Sequence, residues 1–288
     1  MTDRRTHRTR TAGTLAAVLV AGLGLTGCTS DDEPDDTVPT STPTPTPTAP
    51  PRATAAPIPA DDSCYRLTYE EAVSPTAEIE PVACRGSHTS ETFAVGRIDN
   101  VVDGHLLAVD SQRVQDQVAA SCPAALGDVV GGTVEDLRLS MLRAVWFTPS
   151  LDQAEAGASW YRCDVVALAG RDRLASVRGS LAGVLDDEEG RDRYGMCGTA
   201  SPAAKGFERV PCSAEHSWRA FEVVDLDPGD GPDGYPGRTA VTAAGEGPCE
   251  DAAAGVAEDS LDYEWAFEGP DPEQWAAGQT YIRCWSPD

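Results

Sequence analysis

Two histidines in this 288-residue chain each follow a cysteine at the same spacing: Cys84-Arg85-Gly86-Ser87-His88 and Cys212-Ser213-Ala214-Glu215-His216. A Cys-x3-His pair could supply zinc ligands, but zinc takes thiolates rather than oxidised sulfur. It could also supply a general base, which needs a nucleophile or an orienting carboxylate beside it. Ser87 and Glu91 flank the first copy, whereas the second has Glu215 and Arg219 in those places. Because the copies do not keep a partner, the favoured role is structural, with the ring bonding the turn after the cysteine. The binding candidates are His88, His216 and Trp275, the last expected on an exposed loop. No catalytic residue, metal or cofactor is expected. Gly-x-Ser-x-Gly, His-Glu-x-x-His, phosphate-loop and dinucleotide patterns are absent from the sequence. The acidic stretch from Asp225 to Gly234 resembles a calcium loop in composition. It has Gly229 and Pro236 where an EF-hand loop would place ligands, so it reads as a Gly/Pro turn.

The cysteines organise the rest of the chain. Cys64, Cys84, Cys122 and Cys163 form one set, and Cys197, Cys212, Cys249 and Cys284 form another. Pro149, Gln153, Gly157, Trp160, Arg162 and Cys163 recur as Pro270, Gln274, Gly278, Tyr281, Arg283 and Cys284, at a constant offset of 121. If disulfides stay within each copy, three pairings per copy remain open. The favoured one joins first to second and third to fourth: Cys64 with Cys84, Cys122 with Cys163, Cys197 with Cys212, and Cys249 with Cys284. The first bond of each pair would join a strand to its preceding segment, and the second would pin a helix to the last strand. Trp160 and Trp285, beside Cys163 and Cys284, are expected to pack on those disulfides.

The ninth cysteine has a different chemistry. Arg4, Arg5, Arg8 and Arg10 precede an apolar run from Leu15 to Leu25, which ends in Leu25-Thr26-Gly27-Cys28. This is the order of a lipoprotein export signal, in which the Cys28 thiol is acylated before cleavage. Two acyl chains would hold the mature chain, starting at Cys28, on the extracytoplasmic face of the cell membrane. That compartment permits disulfides.

Residues 28–63 read as an acidic and Thr/Pro-rich tether. Such a chain has a reach on the order of 100 Å at about 3.1 Å per residue. The formal charge of −25 argues against nucleic acid and other polyanions as partners. The partners that remain are the membrane, through the lipid, and an envelope or division protein.

The elements that position these residues follow from the hydrophobic period. Phe93 and Val95 match Phe221 and Val223 at period two, as in a strand with one buried face. Val114, Val118, Cys122 and Leu126 recur at helical spacing and put the third cysteine on a buried stripe. The matching second helix is expected to start near Pro248. Strands are expected over Leu137 to Phe147 and Asp262 to Phe267, and again around Cys163 and Cys284. The expected fold is α+β: two tandem disulfide-stabilised modules, each a small antiparallel sheet with one main helix. Their bounds are residues 64–183 and 190–288, with an acidic linker at 184–189 and an export signal at 1–27.

The repeated Cys-x3-His, followed by Phe-x-Val and a distal Pro-x3-Gln-x3-Gly-x2-Trp/Tyr-x-Arg-Cys, resembles the septum formation domain family. Its usual Pro-Cys-x2-Pro-His is altered here at Ala83, Ser87 and Glu215. The resemblance implies extracytoplasmic, often lipidated or membrane-anchored proteins of actinobacteria, linked to division and without established catalytic residues. The expected function is a non-catalytic envelope lipoprotein that binds a wall or division component. A sensory ectodomain is the alternative, and an envelope-polymer hydrolase ranks below it.

Overall fold

The computed structural model describes residues 57–76, 78–259 and 261–288. The export signal, Cys28 and most of the tether lie outside the described residues. Two antiparallel sheets carry the fold. The first runs β1 (Cys64–Tyr65), β2 (Ser90–Arg97), β6 (Trp160–Gly170) and β5 (Leu142–Phe147), with β7 (Arg173–Leu174) turned back on β6. The second runs β8 (Met196–Gly198), β10 (Trp218–Asp225), β12 (Tyr281–Pro287) and β11 (Ala266–Glu268), with β9 (Arg209–Pro211) on the outer side of β8. The strand order of the first sheet is thus matched strand for strand in the second. A short hairpin, β3 (Val101–Val102) with β4 (His105–Leu106), stands apart.

Each sheet is covered by one long helix, α2 (Gln112–Val130) or α6 (Arg238–Val256). Val114, Val118, Cys122, Leu126 and Val130 form one buried stripe of α2, and Val241, Gly245, Cys249 and Ala253 form that of α6. Full burial of each aliphatic side chain contributes about 1.5–3 kcal/mol. A side chain at Gly245 would meet the Phe267 ring at 2.8 Å, so close helix–sheet packing fixes that glycine. The helix starts at Arg238, ten residues before the expected Pro248. Proline suits a first turn, but here the stripe of small and apolar residues carries the helix through it, as α2 passes Pro123.

The disulfides are Cys64–Cys84, Cys122–Cys163, Cys197–Cys212 and Cys249–Cys284. The second and fourth tie α2 to β6 and α6 to β12, enclosing 41 and 35 residues. Such bonds typically stabilise by about 2–4 kcal/mol each.

Three further expectations are corrected. The strand expected from Leu137 begins at Leu142, because Thr133 and Asp136 form a capping box that starts α3 (Val134–Arg138) first. Its counterpart, expected from Asp262, begins at Ala266. The period-two match at Phe93 and Phe221 is interrupted, since both residues sit at bulges where β2 and β10 slip against β6 and β12.

Asp186, Asp187, Glu188 and Glu189 are exposed as expected of a solvated run, but residues 184–189 are tied to the fold. Leu185 is fully buried and donates its N–H to Val130 O, and Asp186 accepts from Gly132 N at 2.9 Å. Asp187 caps α5 (Glu188–Tyr194). The two sheets also share a core, in which Met141 packs with Met196, Ala220 and Trp285.

Candidate functional site

The repeated sequence motifs build local structure. Gln153 and Gln274 complete capping boxes with Ser150 and Asp271, starting α4 (Leu151–Glu155) and α7 (Pro272–Ala276). Gly157 and Gly278 then take φ of 96° and 93°, which end these short helices and which a side chain would strain. The Pro-x3-Gln-x3-Gly run is therefore a helical turn that aims the following strand.

The histidines belong to the same kind of device. His88 Nδ1 lies 3.1 Å from Gly86 O, and His216 Nδ1 lies 2.7 Å from Ala214 O, so each ring closes the turn two residues before it. His88 is fully buried, with no hydrogen-bond partner for Nε2 among the described residues, and its backbone pairs with Val177. His216 Nε2 is held 2.9 Å from Asp288 Oδ2, which Arg219 also grips at 2.9 Å. Burial pushes the Asp288 carboxyl up, but hydrogen bonds from His216 and Arg219 outweigh it and hold it below its ordinary value.

Cys197, His216 and Asp288 lie close enough to face one ion, yet Cys197 is bonded to Cys212 and has no thiolate to offer. Trp275 is not exposed as expected. It is 5 % exposed, and its Nε1 donates to Asp233 O at 2.9 Å. The acidic Gly/Pro loop before it folds under the ring and satisfies that indole.

The structure instead gathers arginines that the sequence did not single out. Between the two sheets lies a cleft of about 480 Å3, lined by Arg143 from β5, Arg171 after β6, Arg209 from β9 and Arg283 from β12. A second cavity of about 520 Å3 adjoins it, and Arg143, Gln279 and Arg283 line both. Four arginines thus meet three carboxylates in the first cleft: Asp172, Glu208 and Glu268. Glu268 pairs with Arg209 through two hydrogen bonds. Glu208 accepts from Arg171 N and Arg173. Burial, reinforced by the charges of Arg283 and Arg209, lowers Arg143 to about 10, which leaves it charged at neutral pH. Burial likewise holds Arg283 below its ordinary value.

Arg283 has a counterpart in the first sheet. Arg162 sits opposite Phe147 as Arg283 sits opposite Glu268, and both arginines are 3 % exposed. Arg162 lies over the rings of Tyr65 and Phe147 and is paired with Asp164 at 2.9 Å. Asp164 is fully buried and accepts from Ser90 at 2.6 Å and Thr92 at 2.8 Å. The place of Asp164 is taken in the second sheet by Trp285. Arg283 instead donates to Arg138 O and Tyr281 Oη, each at 2.9 Å, and so reaches across to the end of α3. An arginine repeated without its acid was the signal in the sequence that could have found this cleft.

A family model described as septum formation matches residues 63–284, a single span that holds both sets of four cysteines. Compared with curated proteins and with solved structures, the chain has no match. Among the described residues, no helix is long and apolar enough to cross a membrane.

Proposed function

This chain belongs to the septum formation family, and from that premise we propose that it is a non-catalytic lipoprotein of the cell envelope. Acylated Cys28 holds it at the outer face of the membrane, and two tandem modules bind a wall or division component there. The matched strand orders and the repeated disulfide pattern support the two-module reading. The observation that carries the binding role is the arginine-lined cleft where the two sheets meet. Such a concave site with a few convergent polar groups is the usual form of a recognition surface.

The repeated histidines are poorly placed for catalysis. His88 is sealed from substrate, and both ring nitrogens of His216 are already engaged.

The test is complementation in a strain depleted of the protein. Wild type should fractionate with membranes and restore septation, and Cys28→Ala should be released or unprocessed and fail to do so. Normal septation in depleted cells, or unaltered membrane fractionation of Cys28→Ala, would contradict the proposal.

A further inference from the structure

We infer that the cleft between the sheets is an anion-binding site, taking one carboxylate or phosphate carried on a small molecule or at the end of a chain. The inference rests on the reading of that cleft as the binding face, and it adds the chemistry of what is bound. Three guanidiniums converge there from three strands, and each keeps N–H groups without a protein acceptor among the described residues. Arg209 gives Nε and Nη2 to Glu268 and retains Nη1. Arg283 gives Nε and Nη2 to Arg138 O and Tyr281 and retains Nη1. Arg143 donates only Nη1, to the carbonyls of Ser140 and Leu142, and among the described residues it has no carboxylate within ion-pair distance.

The comparison within the chain makes this more than a count of charges. At one register position the first sheet has an arginine neutralised by Asp164 at 2.9 Å. The second sheet has the same arginine with a tryptophan in place of the acid; both arginines line a cavity, but among the described residues only Arg162 has a carboxylate within ion-pair distance. Arg143 and Arg283 also repel one another across it. An oxyanion between them would remove that repulsion and satisfy the open N–H groups, with the paired geometry that guanidinium favours. Gln279 adds a neutral amide at the same wall.

The rest of the molecule narrows the ligand. A chain of net charge −25 repels polyanions over its surface. A single charge on a small body is screened within about 8 Å at physiological salt and can still enter. A cleft of about 480 Å3 accommodates a small organic molecule and not a folded partner.

The experiment titrates purified full-length protein, in detergent and at fixed ionic strength, with three ligands. Inorganic phosphate and glycerol phosphate test the phosphate source, and alanyl-alanine tests the terminal carboxylate. Melting temperature and calorimetric heat are read against sodium chloride. Wild type should be stabilised by one source or both beyond the chloride control. Arg143→Gln should bind at least roughly tenfold more weakly, the loss of one charge-assisted hydrogen bond. Arg143→Lys, which keeps the charge and the fold but not the fork, should fall between. Arg113→Gln on the exposed start of α2 should bind as wild type does. No stabilisation by any of the three ligands, or an equal response in wild type and Arg143→Gln, overturns the inference. Normal anion binding in a protein dispensable for septation would leave this site standing and remove the proposed cellular role.

Discussion

Replacing Asp164 by Asn removes a single charge from the centre of the first sheet and leaves Arg162 behind. The Arg162 and Asp164 side chains are 4 % and 0 % exposed, so neither can turn to water. Asp164 also anchors Ser90 and Thr92 on β2, and it therefore ties β6 to its neighbour through side chains as well as backbone. Breaking a buried pair by deleting one partner costs about 3–5 kcal/mol, because the surviving charge stays desolvated. For a folded body of this size, each kcal/mol shifts the melting temperature by about 2–4 °C, so the expected fall is roughly 6–20 °C. Urea unfolding at neutral pH measures the free energy directly. The double variant Arg162→Leu with Asp164→Val should recover most of the loss, since an apolar replacement of a buried pair is often neutral. A loss below about 1 kcal/mol in Asp164→Asn would refute the claim that the acid is what neutralises this arginine, and with it the contrast with Arg283.

Other consequences can be measured on the same protein. His88→Ala and His216→Ala should each lower stability, by about 1–3 kcal/mol for the buried His88, while ligand binding in the cleft is unchanged. A stable His216→Ala protein that no longer binds would contradict the structural role. Asp288 has its folded pKa below the ordinary 3.8, so its contribution is present above that value and is lost as the pH falls through the folded value. Asp288→Asn should therefore cost a few tenths to about 1 kcal/mol at pH 7, the side chain being partly exposed, and should flatten the acid limb of the stability profile. Glu135 behaves oppositely. Burial and the nearby Glu222 raise it above 4.5, so its ionisation destabilises as the pH rises through that range. Glu135→Gln should be more stable than wild type at pH 7 and converge with it in acid, as followed by thermal unfolding across pH.

Much of this fold is legible in the sequence because covalent and periodic signals are local. Cys122 sits on the i, i+4 stripe of α2, and that spacing alone turns it toward the sheet that carries Cys163. The turn role of His88 and His216 is legible for the same reason, since each ring reaches back only two residues. What fails is whatever depends on neighbours distant in the chain. Trp275 looks exposed on a loop until Asp233, 42 residues earlier, folds beneath it. The run 184–189 has the exposed acids of a linker, but its anchoring at the buried Leu185, which bonds to the end of α2, is not legible. The cleft fails most completely. Arg143 and Arg283 are 140 residues apart, and only the packing of one sheet against the other makes them neighbours.

The central claim, that the cleft between the sheets is where this envelope protein engages its target, is tested most directly by cross-linking in intact cells. A photoreactive residue at Gln279, on the cleft wall, is compared with one at Arg113, on the exposed start of α2. The account predicts a discrete adduct from position 279 that disappears when Arg143→Gln is added, and none from position 113. An adduct of equal yield at both positions, or one at 279 that survives Arg143→Gln, would contradict it.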